Sequence, residues 1–244
     1  MTPSPETSPS STRPWLVRRQ THLAVSLAMV AGYVDGFGLL AFNTFLSFMS
    51  GNTTQTGANI GRGAFGLALP SAVAIAGFLF GVFVGNLRTP YRGDRALIVA
   101  VAAALAAACI GLHTSWLTVI PSLGLIAIAM GVMNTTFSRV GNEPVNLTFV
   151  TGALNKMGMH LAQALKRRPL DDAQGAWDTH IGRALLLTGV WAAFLIGATL
   201  AGLATLRLAD WTLLPAAGFL LLIAMTFQFS GEHATAGAIG TRVP

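Results

Sequence analysis

Six stretches of this 244-residue chain each run for roughly twenty residues almost without charge: about His22 to Phe42, Leu67 to Leu87, Ala96 to Leu112, Leu117 to Phe137, Ala184 to Leu206 and Trp211 to Phe229. Twenty helical residues rise about 30 Å, the thickness of the hydrocarbon layer of a membrane. Only 10% of the residues are charged and 53% are hydrophobic, against about 25% charged in a soluble domain. The predicted fold is therefore all-α, a polytopic membrane protein with six transmembrane helices, because an open strand in lipid would leave its backbone groups unpaired.

Two further apolar stretches, Phe45 to Ile60 and Val145 to Leu165, are interrupted by Gly, Asn and Thr. Polar, glycine-broken backbone at membrane depth persists only when buried in protein or lining water. These segments read as broken or re-entrant helices, as close-packing motifs, or as amphipathic pieces at the membrane surface.

The basic residues give an orientation. With the N-terminus in the cytoplasm, thirteen of fifteen Lys and Arg fall on the inner side and only Arg62 and Arg207 outside, as expected for a bacterial inner membrane. Both termini are then cytoplasmic. The net charge of +6 reads as a topology signal rather than a nucleic-acid surface, since no stripe of basic residues alternates with aromatics. Residues 1–20, rich in Ser, Thr and Pro, read as a disordered cytoplasmic tail; a signal peptide is the weaker alternative, because the apolar run after it is long and holds Asp35. The membrane domain is expected over 21–230, with a second cytoplasmic tail over 231–244.

The two halves repeat each other. Gly32-Tyr33-Val34-Asp35 matches Gly131-Val132-Met133-Asn134; Phe48-Met49-Ser50-Gly51, with Gly57 six residues on, matches Phe149-Val150-Thr151-Gly152, with Gly158 six residues on; and Phe78-Leu79-Phe80-Gly81 matches Phe194-Leu195-Ile196-Gly197. Each half, about 21–115 and 117–230, contains three spans. An odd number makes the second half enter from the opposite side, the inverted repeat recurrent in secondary transporters.

Asp35 falls near the middle of the first span, where an ionised carboxylate costs at least about 2.5 to 3.5 kcal/mol. It reads either as a proton, cation or substrate site, or as a structural acid bonded to a neighbouring helix, with Asn134 as its mirror-image counterpart and Arg139 as a counter-charge. The expected solute site lies between the halves and comprises Asp35, Gly51, Asn52, Thr53, Thr54, Asn134, Thr151 and Gly152. Gly77, Gly81 and Gly85 recur every four residues and predict a close helix crossing, within the chain or across a homodimer. The loop from Lys166 to Asp178 reads as an anchor facing anionic headgroups. Cys109 stands alone in an apolar block, His113, His160, His180 and His233 show no paired spacing, and no catalytic motif stands out. No enzyme activity, metal or cofactor is expected. The three Asn-x-Thr patterns are incidental in a chain of this kind.

Taken in order, Gly32-Tyr33-Val34-Asp35, Phe48-Met49-Ser50-Gly51-Asn52-Thr53-Thr54, Gly131-Val132-Met133-Asn134 and Phe149-Val150-Thr151-Gly152 resemble the YoaK-like family of bacterial membrane proteins, a family built on a domain of unknown function. The resemblance covers nearly the whole chain after the tail. It implies several membrane helices and supplies no catalytic residue. After Asn134 this chain departs from the usual look, with Glu143-Pro144 and a single Arg. The functional expectation is a small secondary transporter or permease for a small polar or ionic solute, the alternative a membrane scaffold or accessory protein.

Overall fold

The computed structural model describes residues 14–87, 94–137, 139–145, 148 and 150–227. Eight α-helices appear among them: α1 Pro14–Phe42, α2 Met49–Gly61, α3 Phe65–Leu87, α4 Asp94–His113, α5 Val119–Thr135, α6 Val150–Leu165, α7 His180–Leu208 and α8 Leu214–Thr226. A two-residue antiparallel pair, β1 Arg139–Val140 with β2 Glu143–Pro144, bridges α5 and α6. The architecture is that of an all-α membrane protein. Four helices, α1, α3, α4 and α7, are long and apolar enough to cross a membrane. The other two expected spans are α5 and α8, apolar but only 17 and 13 residues long.

α1 starts at Pro14, ahead of the boundary expected at 21. Proline is pre-set for a first helical turn, and the extension is held in place: Val17 packs on the core and the Gln20 side chain accepts a hydrogen bond from Gly141 N at 2.8 Å. Residues 1–13, the expected tail over 231–244, and Arg88, Arg92, Asn146 and Phe149 lie outside the described residues.

The long helices pack across the two halves. α1 lies along α7, and α3 lies along α5. Backbone meets backbone at both crossings. A methyl group on Gly32 would run into the Phe194 carbonyl, and one on Gly197 into that of Met29; at the other crossing, Gly131 abuts the Phe78 carbonyl and Gly81 that of Ile128. Each pair occupies the position that the sequence repeat assigns to the other. The stripe Gly77, Gly81, Gly85 faces Gly124, Ile128 and Thr135 of α5, so its crossing lies within the chain. α2 rests on α3, α6 on α7, and α4 meets α8. Leu27, Val34, Leu105, Ile126, Met130 and Leu220 fill the centre. The outer faces of α3 and α7 carry exposed Leu79, Phe80, Phe83, Leu195, Ile196 and Leu203. A patch of this kind is untenable in water and natural against lipid.

Gly32→Ala and Gly197→Ala force a side chain into a backbone contact and are expected to lower stability by about 1 to 3 kcal/mol each. Gly202→Ala, on the same helix as Gly197 but with open space around it, is expected to be neutral or stabilising by up to about 1 kcal/mol. Unfolding in mild detergent, followed by circular dichroism, measures the difference.

Candidate functional site

Asp35 lies two turns before the end of α1, midway between that end and the helix middle. The chain then turns through residues 43–48, with Asn43 in the left-handed region at φ 50°, a conformation asparagine tolerates. This turn brings two amides back onto the buried carboxylate. Asp35 Oδ1 accepts from Leu46 N at 2.7 Å and Ser47 N at 2.6 Å, and Oδ2 accepts from Ser47 Oγ at 2.7 Å. From the other side Asn52, fully buried on α2, pairs with the backbone of Phe45: its Nδ2 donates to Phe45 O at 2.7 Å and its Oδ1 accepts from Phe45 N at 3.1 Å. Gln55 Nε2 donates to Asn43 O at 2.8 Å. Gly51 leaves room for the edge-to-face rings of Phe45 and Phe48, which any Cβ would strike. Two helices thus clamp one turn, through charge-assisted bonds that satisfy amides a turn leaves unpaired.

Thr53 and Thr54 lie on the exposed face of α2 and bond back to Met49 O and Ser50 O. Thr54, with Asn43, Phe48, Ser50, Gly51 and Gln55, borders an open cavity of about 420 Å³. Asn134 is on the last turn of α5, and Thr151 and Gly152 begin α6. The structure therefore brings Asp35, Gly51 and Asn52 together. The Asp35 carboxylate is occupied by the α1–α2 turn rather than by Asn134, and α1 and α5 touch only sparingly. Arg139 is exposed on β1, away from the carboxylate's bonding partners.

A second polar centre joins the β1–β2 hairpin, α6, the loop 166–179 and the start of α7. Glu143, His160 and Arg183 are each less than a tenth exposed. Glu143 takes Lys156 Nζ on Oε1 at 3.0 Å, and His160 Nε2 and Arg183 on Oε2 at 3.2 and 3.4 Å. The Arg183 guanidinium forks onto Asp178 at 3.0 and 2.9 Å and also meets Asp172 at 3.0 Å. A buried guanidinium is tolerable only with this density of acceptors. Burial alone would raise the Asp178 carboxyl, yet the Arg183 fork and the Gln174 amide hold it below the ordinary value. His160 Nδ1 and His180 Nδ1 face each other at 2.8 Å. No group of three or more residues able to hold a metal occurs among the described residues.

This second centre escapes a reading of the sequence. Its members are up to 40 positions apart, Glu143 to Arg183, and they meet only because α6 folds back on α7. The one local signal is an acid, Glu143, in the short stretch between two apolar blocks.

The family model described as protein of unknown function (DUF1275) matches residues 23–226. The chain is 30% identical over 208 residues to the UPF0700 transmembrane protein RA0705 of Rhizobium meliloti (strain 1021), covering 84% of this chain and 85% of that one. It is 29% identical over 145 residues to the UPF0700 transmembrane protein YoaK of Bacillus subtilis (strain 168), covering 56% of this chain and 64% of the relative. No solved structure matches.

Asp35→Ala strands buried amides, each worth about 1 to 3 kcal/mol, and is expected to destabilise strongly, whereas Asp35→Asn keeps an acceptor for both amides and loses far less. Reversible unfolding in mixed micelles separates the two. The Asp178–Arg183 pair stabilises in full above the ordinary aspartate value near about pH 4 and is lost as acid takes the pH below it. The stability gap between wild type and Arg183→Met should accordingly narrow below about pH 4; a gap that stays constant into stronger acid contradicts the pairing.

Proposed function

We propose, from the premise that the chain belongs to the bacterial membrane-protein family described as protein of unknown function (DUF1275), that it is a small, non-enzymatic secondary transporter or permease of the inner membrane for a small polar or ionic solute. In this reading α1–α4 and α5–α8 are two halves inserted in opposite directions, with both termini cytoplasmic. The observation that carries it is the exchange at the two crossings: Gly32 against Phe194 and Gly131 against Phe78 are the same contact made once by each half. Inverted halves that share their long helices are the frame on which alternating access is built.

The two short polar helices, α2 and α6, lie outside the two crossings. α2 and α6, with 13 and 16 residues, are about as short as α8 and α5 but carry Asn, Thr, Gln, Lys and His where those two are apolar, so polarity rather than length sets them apart from the spans. On the proposed topology α2 serves the outer side and α6 the cytoplasmic side. Each is docked to a long helix of its own half and tied down by polar groups, the cavity beside Thr54 on one side and the Glu143 cluster on the other. Asp35 and Asn134, set at equivalent places on oppositely directed helices, then face opposite leaflets.

A second reading has an observation of its own. Every bond of the Asp35 carboxylate serves the α1–α2 turn, the behaviour of a structural acid, and this favours a non-transporting scaffold or accessory protein.

Protein reconstituted into liposomes that enclose a pH-reporting dye separates them. Small amines, carboxylates and amino acids are applied singly as inward gradients. The transporter reading expects a solute-specific signal above that of protein-free liposomes, lowered about tenfold by Thr54→Val at unchanged thermal stability, a loss of about 1.4 kcal/mol. Folded protein that gives no signal across the whole panel supports the scaffold.

A further inference from the structure

The polar centre around Glu143 is short of protons. Lys156 and Arg183 bring two positive charges and Glu143, Asp172 and Asp178 three negative ones, a formal sum of −1 before the histidines are counted. Three buried acceptors in the same region, His180 Nε2, Gln163 Oε1 and Gln174 Oε1, have no hydrogen-bond partner among the described residues. Gln163 stands one turn along α6 from His160. Unpaired buried acceptors of this kind are rare and ask for an explanation.

The tautomers follow from the contacts. His160 Nε2 lies 3.2 Å from Glu143 Oε2, so it carries a hydrogen. The facing Nδ1 atoms, 2.8 Å apart, need one hydrogen between them, which the His180 ring supplies to the bare Nδ1 of His160. That leaves His180 Nε2 as a buried lone pair. A proton added there makes His180 an imidazolium, keeps the Nδ1–H···Nδ1 bond, and brings the cluster's formal charge to zero. On the two rings, a second added proton has only His160 Nδ1 left to occupy. It sets N–H against N–H and leaves the cluster at +1, with Arg183 and Lys156 adding to the repulsion.

We propose that His160 and His180, backed by Glu143, form a proton-binding site that accepts one proton with α6 docked and releases α6 from the start of α7 on accepting a second. The ligand is the proton itself. As a coupling station for transport the site rests on the reading above; as a proton site it does not, and its test uses no solute.

Hydrogen exchange of residues 150–165 is measured on the full chain in lipid nanodiscs from about pH 8 to about pH 5, the range a histidine senses, with rates corrected for intrinsic pH dependence. In wild type, α6 is expected to lose protection by about tenfold or more toward the acid end relative to α5, as a local opening rather than global unfolding. His160→Gln and His180→Gln each leave one titratable ring and should abolish that acid response. His22→Gln, altering an exposed histidine on α1, should retain it. Wild-type protection that is unchanged across the range, or an acid response that survives in either glutamine variant, overturns the proposal. Should one variant fail to fold, the other decides.

Discussion

Backbone contact at four glycines governs this molecule. In a bilayer the tails are as apolar as leucine, so helices gain little by hiding oily faces from lipid and associate through close packing and polar bonds instead. Gly32 and Gly197 let α1 and α7 meet at main-chain distance, and Gly81 and Gly131 do the same for α3 and α5. Each crossing joins a helix of one half to a helix of the other. Neither half therefore contains the partner of its own longest helices, and the frame exists only when both are present.

Outside the frame lie two short polar helices, α2 and α6, and each half ties its own down differently. In the first, a carboxylate and an amide hold the backbone of a turn: Asp35 saturates the Leu46 and Ser47 amides while Asn52 mimics a strand partner for Phe45. All of these donors and acceptors are matched. In the second, side chains hold side chains, and the cluster of Glu143, Lys156, His160, Asp172, Asp178, His180 and Arg183 combines excess negative charge with a lone pair that none of the described residues fills. The first arrangement is a fixed joint. On the proposal above, the second takes up one proton in place and opens on the next, because buried groups in a low dielectric respond strongly to each added charge.

Much of the frame was legible from residue order alone. The apolar blocks announced the membrane, and the match of Gly32 with Gly131 and of Phe78 with Phe194 announced equivalent positions in the two halves, though not that each glycine meets the phenylalanine of the other half. The Gly77, Gly81, Gly85 stripe signalled a close crossing without naming its partner, which is α5. The fate of Asp35 was harder to read for a physical reason: its partners are backbone amides, which every sequence has, so a search for a side-chain counter-charge looks in the wrong place. The histidines were opaque because the return of α6 onto α7, not spacing, brings His160 against His180. The early start of α1 depends likewise on Gln20 meeting Gly141, a contact between residues 121 positions apart.

The account stands on opposite insertion of the two halves, and the sidedness of the short helices measures it most directly. In a background with Cys109 replaced, single cysteines at Gly63, after α2, and at Arg168, after α6, are probed with a membrane-impermeant maleimide in right-side-out vesicles. The account predicts that the cysteine at 63 is labelled at once and the one at 168 only after the vesicles are opened. Labelling of both from the same side would mean parallel halves and would contradict it.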